Sequence, residues 1–400
     1  NLLDIGLQSS AVTLRNSKGK NYMLEGLSLE AGNRNGSLRS VLAVDRINSG
    51  AVNLSHTALS LVGENDSLRL NLGFHNGDTT MLDLSAMIRA WKDRKGQLMA
   101  DIAVDSSSFN IRNHLWELSP ATLTVRPKAY TINGLRLCSG NDSLQVTGAI
   151  ADNPDSKLSI SLANFDLNLL NSFTGGKLDL KGKLSGKADL YNFFSNLGAS
   201  MEIKGDSLSL KGEDIGRLSV LSRRDMARNR FNLLINNYVG ETNPINISGY
   251  FIPERSYLDL DMTFQDMRMR ILSPFLSDFV SVTDGRLSGE IGVTGQLGKL
   301  MLSSDNSRID SLALTPVFTK VPYTISGPLS INARSISLDS LSITDPDGSK
   351  AMLTGNITHD FFKNFYLEAG MTFDNFKVLN TQEWDNEKFY GNASASGMIT

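Results

Sequence analysis

Apolar and polar residues alternate with a period of two along most of this chain. Leu158, Ile160 and Leu162 alternate with Ser159 and Ser161, and Leu258, Leu260, Met262 and Phe264 alternate with Asp259, Asp261 and Thr263. A third set is Phe365, Leu367, Ala369, Met371 and Phe373. In a fourth, Leu178, Leu180, Leu184, Ala188 and Leu190 are interleaved with Asp179, Lys181, Lys183, Lys187 and Asp189. Successive strand side chains point to opposite faces, so each set predicts a strand with one face out of water. Sheets with one wet face are typically antiparallel, because parallel sheets bury both faces and read as continuous apolar runs. The predicted fold class is therefore all-β: a long, repetitive antiparallel sheet with short helices.

Turn signals separate the strands. Asp-Ser-Leu occurs five times, beginning at Asp66, Asp142, Asp206, Asp310 and Asp339. Asp and Ser bond nearby backbone and favour turns, and the Leu then opens a strand. Asn35-Gly36, Asn76-Gly77 and Asn133-Gly134 are hairpin candidates. Helical signal is weak: 190–197 and 267–280 are the better short-helix candidates, the second interrupted by Pro274, and 87–92 reads as a helical turn or a strand edge.

Three segments read alike. Gly148, Gly249 and Gly355 lead them, 101 and 106 positions apart; Gly182, Gly285 and Gly391 trail, 103 and 106 apart. Each unit reads as a strand with a glycine, a second strand, an Asp-bearing linker with a short helix-like stretch, and a Gly-x-x-Ser strand. The implied organisation is an N-terminal β segment of the same sheet over 1–130, repeat units over 131–240 and 241–345, and the start of a third over 346–400. A fixed period suggests stacked units that contact mainly their neighbours.

Composition narrows the functional classes. The 400 residues carry 39 Lys and Arg against 42 Asp and Glu, for a net charge of −3. That balance offers no broad basic field, so nucleic acid is not an expected partner. No run approaches the ~18 consecutive apolar residues of a membrane helix. The N-terminus lacks an initiator Met and a signal-like segment, so the chain reads as an internal piece of something longer. Cys138, the single cysteine, reads as a small apolar strand residue.

Catalytic chemistry has no visible seat, and the chain reads as a non-enzyme with no cofactor and no metal. His56, His75, His114 and His359 show no metal-ligand spacing, and His359 reads as a surface-turn residue. Asp345-Pro346-Asp347-Gly348 resembles part of a calcium loop, but Thr354 lies where its Glu would be, so a type I turn is the better reading. Asp259 and Asp261 share a solvated strand face. Trp91, Trp116 and Trp384 form no stacking platform.

The repeated residues resemble the TamB family of the AsmA-like superfamily. The cues are Thr147-Gly148-Ala149-Ile150, Ser248-Gly249-Tyr250-Phe251 and Thr354-Gly355-Asn356-Ile357, the alternating strand after each, the Asp-bearing linker, and Gly182-Lys183-Leu184-Ser185-Gly186 with Gly285-Arg286-Leu287-Ser288-Gly289. Val321 to Leu329 and Asp345 to Gly348 also look like that family. The likeness covers roughly 130–400 well and 1–130 by general character. It implies a sheet curled into a groove with an apolar interior, in a periplasmic protein of a Gram-negative bacterium held in the inner membrane by a segment not present in this chain. It also implies passage of phospholipid between the two membranes and a role in outer-membrane assembly and protein translocation, with an outer-membrane barrel partner engaged by regions outside this chain.

Beside the resemblance, elementary physics leaves the covering of the apolar face open. A sheet with one greasy face must cover it with a second sheet, by closing into a barrel, or with a ligand. If hydrocarbon covers it, the partners are phospholipid acyl chains. The candidate lining is then Leu158, Ile160, Leu162, Leu178, Leu180, Leu184, Leu258, Leu260, Met262, Phe264, Leu367, Ala369, Met371 and Phe373. The competing readings are ordinary protein core, a structural or adhesive β-helix or β-solenoid without lipid transport, and a carbohydrate-active β-sandwich. A β-helix has a coil period near ~20–25 residues, shorter than the spacing here.

Overall fold

The computed structural model describes residues 3–15, 21–34, 37–48, 53–64, 66–76, 79–111, 114–153, 155–174, 179–194, 197–277, 279–338, 341–361, 363–385 and 390–399. Its 27 strands belong to one antiparallel sheet, and the chain divides into two compact units, Asn1–Lys177 with Leu184–Gly198 and Leu178–Lys183 with Ala199–Thr400. The first fourteen strands are β1 (Leu3–Arg15), β2 (Asn21–Arg34), β3 (Ser37–Asn48), β4 (Asn53–Glu64), β5 (Ser67–Asn76), β6 (Thr79–Lys92), β7 (Leu98–Val104), β8 (Ser107–Ile111), β9 (His114–Leu118), β10 (Ala121–Arg126), β11 (Ala129–Ser139), β12 (Asp142–Ala151), β13 (Lys157–Asp166) and β14 (Leu180–Tyr191), with helix α1 (Asn168–Thr174) before the last. Then follow β15 (Gly198–Leu210), β16 (Glu213–Asp225), β17 (Arg230–Val239), β18 (Thr242–Ile252), β19 (Tyr257–Arg268), helix α2 (Ser273–Leu276), β20 (Val280–Gln296), β21 (Lys299–Pro316), β22 (Tyr323–Asn332), β23 (Ser335–Ser337), β24 (Leu341–Thr344), β25 (Lys350–Asp360), β26 (Lys363–Thr381) and β27 (Gly391–Ile399).

Most strands pair with their sequence neighbours, and the exceptions are broken strands. In the first unit β7 and β8 together fill one position of the sheet, and β10 and β9 fill the next. The first break is held by Asp105, whose N–H donates to the Ser85 carbonyl at 2.9 Å while its carboxylate meets Arg69 at 3.1 Å. The second falls at Ser119-Pro120, because proline has no N–H to give the ladder. In the second unit β23 and β24 divide one position between β22 and β25.

Several local expectations are corrected. Asn133-Gly134 is no hairpin: it lies inside β11 as a bulge, with Gly134 at φ 75. A Cβ on Gly134 would sit 3.2 Å from the Pro120 carbonyl, so the bulge answers the break in the adjacent strand. Asp66 does lie in a turn, and Asp142 opens β12, but Asp206-Ser207-Leu208 and Asp310-Ser311-Leu312 are bulges within β15 and β21, with both serines at positive φ. Asn35-Gly36, Gly77 and Asp339-Ser340 fall outside the described residues. The helix expected over 190–197 is absent where it is described: Leu190 and Tyr191 end β14, and Asn192 takes φ 59, a left-handed value that Asn tolerates. Over 267–280 the helix shrinks to a 3-10 turn at Met269–Leu272 and α2, because β19 continues to Arg268 and β20 starts at Val280. Residues 87–92 are strand, the end of β6. His359 is buried within β25 rather than in a surface turn, and its N–H donates to the Arg334 carbonyl at 2.9 Å. The Asp345 turn is present: its Oδ1 accepts from the Asp347 and Ser349 N–H groups.

The three Asp-bearing linkers lie inside strands, at residues of positive φ, and they share with Ser311 of β21 a recurring clasp. Asn164, Asp266, Ser311 and Asn375 have φ of 47, 51, 50 and 45°. Their N–H groups donate to the hydroxyls of Ser185, Ser288, Ser326 and Ser396 at 2.9, 3.0, 2.9 and 2.7 Å. Each serine precedes a glycine at positive φ, namely Gly186, Gly289, Gly327 and Gly397. At positive φ one donor leaves the ladder, and the serine takes it. The third repeat therefore aligns on Ser396, two residues beyond Ser394.

Candidate functional site

Register turns the alternation of single strands into a surface. Leu7, Leu29, Leu42, Leu59, Leu72 and Leu84 are successive cross-strand partners from β1 to β6. On the same face a second row runs Leu38, Gly63, Leu68, Ile88, Ile102, Leu123, Ile132, Gly148 and Leu158. At the usual strand spacing nine members extend over roughly 38 Å. In the second unit Ile203, Val220, Ile235, Ile247, Met262 and Ile291 form one row, and Leu233, Gly249, Leu260, Val293 and Leu302 another. A third runs Leu312, Ile325, Ile343, Ala351 and Phe373.

The six-leucine row of the first unit is incompletely covered. Leu29, Leu42, Leu59, Leu72 and Leu84 are all half-buried, and Leu7 is 49% exposed. Tighter packing is local. Phe264, Met267, Val282, Leu287, Ile291, Val293, Ile309, Leu312 and Ile331 form the main cluster of the second unit. The accessible surface totals 23940 Å². Two separate compact proteins of half this mass would together expose about 19,000 Å² by ordinary surface scaling.

Two aromatic contacts show how each unit bends toward its apolar side. Tyr323 on β22 stacks on Phe376 of β26 with ring centroids 5.4 Å apart, and its hydroxyl donates to the Lys377 carbonyl at 2.9 Å. Two strand positions lie between them, about 14 Å of flat sheet from first to last. Phe376 is only 1% exposed. Burial, then the Asp345 carboxylate, raises the Tyr323 phenol above its ordinary value. In the first unit the buried Trp116 of β9 meets Phe165 of β13 at 6.2 Å, across β11 and β12.

The predicted lining residues fall as follows. Leu258, Leu260, Met262 and Phe264 come together in the main cluster, and Met371 and Phe373 join a second with Ile343, Ala351 and Phe376. Ile325 packs against both clusters. Leu158, Ile160 and Leu162 pair with Gly148, Val146 and Leu144. Ala369 pairs with Gly355, and Leu367 with Ile357. Leu180 and Leu184 are half-buried on β14. Leu178 lies outside the described residues. The six-leucine row was missed. Its trace in the sequence is the Leu-x-Leu alternation of 68–72, but alternation does not reveal which leucines of other strands stand opposite.

Some buried polar groups on the sheet are tied up locally. Buried Ser304 and Ser307 share a hydrogen bond of 2.7 Å, and buried Asn237 donates to the Ile215 and Arg217 carbonyls. Cys138 is a half-buried free thiol in β11. Among the described residues no three His, Cys, Asp or Glu side chains converge to hold a metal, and no helix is long and apolar enough to cross a membrane. No family model matches the chain, and neither a curated protein nor a solved structure is significantly similar to it.

Proposed function

We propose that this chain is a segment of a TamB-like envelope protein whose apolar sheet face carries phospholipid acyl chains between the inner and outer membranes and so supports outer-membrane assembly. The observation that supports the reading is the in-register and only half-buried row of leucines from Leu7 to Leu84. Each methylene moved from water onto such a face gains about 0.8 kcal/mol, so a tail of about sixteen carbons gains on the order of 10 kcal/mol, near what it loses on leaving a bilayer. A balanced exchange of this kind suits a conduit, where a tight grip on one ligand would stop flow. Hydrocarbon needs no directional partner, so the lining acts as a face and no single residue is essential.

The test is native mass spectrometry of the chain purified from cells. Phospholipid should co-purify with it. A triple variant, L42D with L59D and L72D, should keep its circular dichroism spectrum and lose most of that lipid. A folded triple variant with undiminished lipid would sink the reading.

A further inference from the structure

The turns that join β16 to β17, β18 to β19 and β20 to β21 lie side by side at one end of the second unit's strands, where successive antiparallel strands reverse. Two bonds tie them together. Asn229 donates to the Glu254 carboxylate at 2.6 Å, and the Leu297 N–H donates to the Ser256 carbonyl at 2.8 Å. The charge of this end departs from that of the chain. Six cations, Arg223, Arg224, Arg228, Arg230, Arg255 and Lys299, stand against two acids, Asp225 and Glu254, in a protein whose net charge is −3. At the opposite ends of these strands Lys211, Arg268 and Arg270 are matched by Glu213, Asp214 and Glu241.

Arg223, Arg228, Arg255 and Lys299 are exposed. Asp225 meets both Arg228 at 3.3 Å and Arg230 at 3.6 Å, so one carboxylate offsets only part of the charge around it. Arg230 also lies over the Tyr250 ring, 4.4 Å from its centroid. Two of the turns push an apolar side chain into water: Met226 is 73% exposed and Leu297 is 57% exposed. Single apolar side chains on separate turns do not make the contiguous apolar centre of a protein interface. A water-soluble polyanion would match the cations but give Met226 and Leu297 nothing to enter. A bilayer surface with anionic headgroups answers both features, since it attracts clustered cations and admits apolar side chains at the boundary between headgroups and tails.

We propose that this end of β16 to β21 docks on an anionic lipid bilayer. The arginines and Lys299 face the headgroups, and Met226 and Leu297 enter the boundary beneath them. The contact is made by the turns, so it does not require the apolar sheet face to carry lipid. Attraction of this kind reaches about one Debye length and is therefore weakened by salt, whereas the apolar contribution is not.

The experiment sediments the 400-residue chain with vesicles of phosphatidylcholine alone, or of phosphatidylcholine and phosphatidylglycerol in equal parts, in low and in high salt. The chain should favour the anionic vesicles, and more so in low salt. R223Q with R255Q should lower that binding about twentyfold, from about fivefold for each cation lost near a charged surface. R223K with R255K should retain it. K211Q with K350Q makes the same change in net charge away from these turns and should leave binding close to that of the parent. M226S should weaken binding about fivefold in either salt, as for one partly buried apolar side chain. The L42D, L59D and L72D triple variant should bind the vesicles as the parent does, so failure of the docking surface and failure of the lipid-carrying face are told apart. Equal binding to both vesicles, a loss as large in K211Q with K350Q as in R223Q with R255Q, no effect of M226S, or loss of binding in the leucine triple variant overturns the proposal. Circular dichroism of each variant checks that the sheet is intact.

Discussion

Replacing Gly249 by alanine tests whether the sheet depends on close backbone approach within its apolar rows. Gly249 has φ 149, and a Cβ there would stand 2.0 Å from the Asp259 carbonyl oxygen and 2.8 Å from the Leu260 Cα. Both obstacles are backbone of the paired strand, so no side chain can swing aside. The carbonyl would have to retreat by more than an ångström to reach ordinary contact, and the ladder between β18 and β19 would loosen around it. Overpacking of this kind costs about 1–3 kcal/mol, and holding a non-glycine residue at such a φ costs about 1–3 kcal/mol more. A total near ~3 kcal/mol corresponds to a fall of roughly 6–12 °C in Tm for a unit of this size. The assay is thermal and urea denaturation beside two controls. G298A has φ 89 but nothing within 4 Å, so strain alone should cost about 1 kcal/mol. G63A meets only ordinary contacts, at 3.5 Å and beyond, and should lie within about 0.5 kcal/mol of the parent. The same approach recurs at Gly148 and Gly355, where a Cβ would meet the Lys157 and Glu368 carbonyls at 2.3 and 2.1 Å. A G249A protein that melts with G63A would refute the argument.

Other substitutions probe different parts of the sheet. F376A removes a side chain that is 1% exposed and stacked on Tyr323, and should cost about 3–5 kcal/mol in urea titration. S288A deprives the Asp266 N–H of its acceptor and should cost about 1 kcal/mol, with S326A similar at the equivalent clasp. The Lys157–Asp189 pair, at 2.9 Å, gives a small pH signature. Burial pushes the Asp189 carboxyl up, but hydrogen bonds from Ser159 and Lys157 outweigh it and hold the group below 3.8; the Asp189 hydrogen bond raises Lys157 above 10.5. A depressed acid stabilises above its ordinary value and a raised base below its own. K157M should therefore lose under about 1 kcal/mol at neutral pH, given the exposure of both groups, and the difference should fade in acid below 3.8, in strong alkali and in high salt.

Much of this protein is written in local pattern. The alternation of Leu258, Leu260, Met262 and Phe264 with Asp259, Asp261 and Thr263 sets both the strand and its apolar face, because side-chain direction has a period of two whatever the partners are. The glycines at 148, 249 and 355 announce positions where no side chain fits, and the structure puts a carbonyl against each. What sequence leaves open is register, since nothing in Leu29 alone says that Leu42 and Leu7 stand beside it. Pairing is a property of two strands and the turn between them. The same limit explains the bulges read as turns and His359 read as surface: Asp-Ser and Asn-Gly satisfy backbone equally well in a turn or within a strand. Only the neighbouring strand, offering Ser326 to the N–H of Ser311 or a break at Pro120 to Gly134, decides between them.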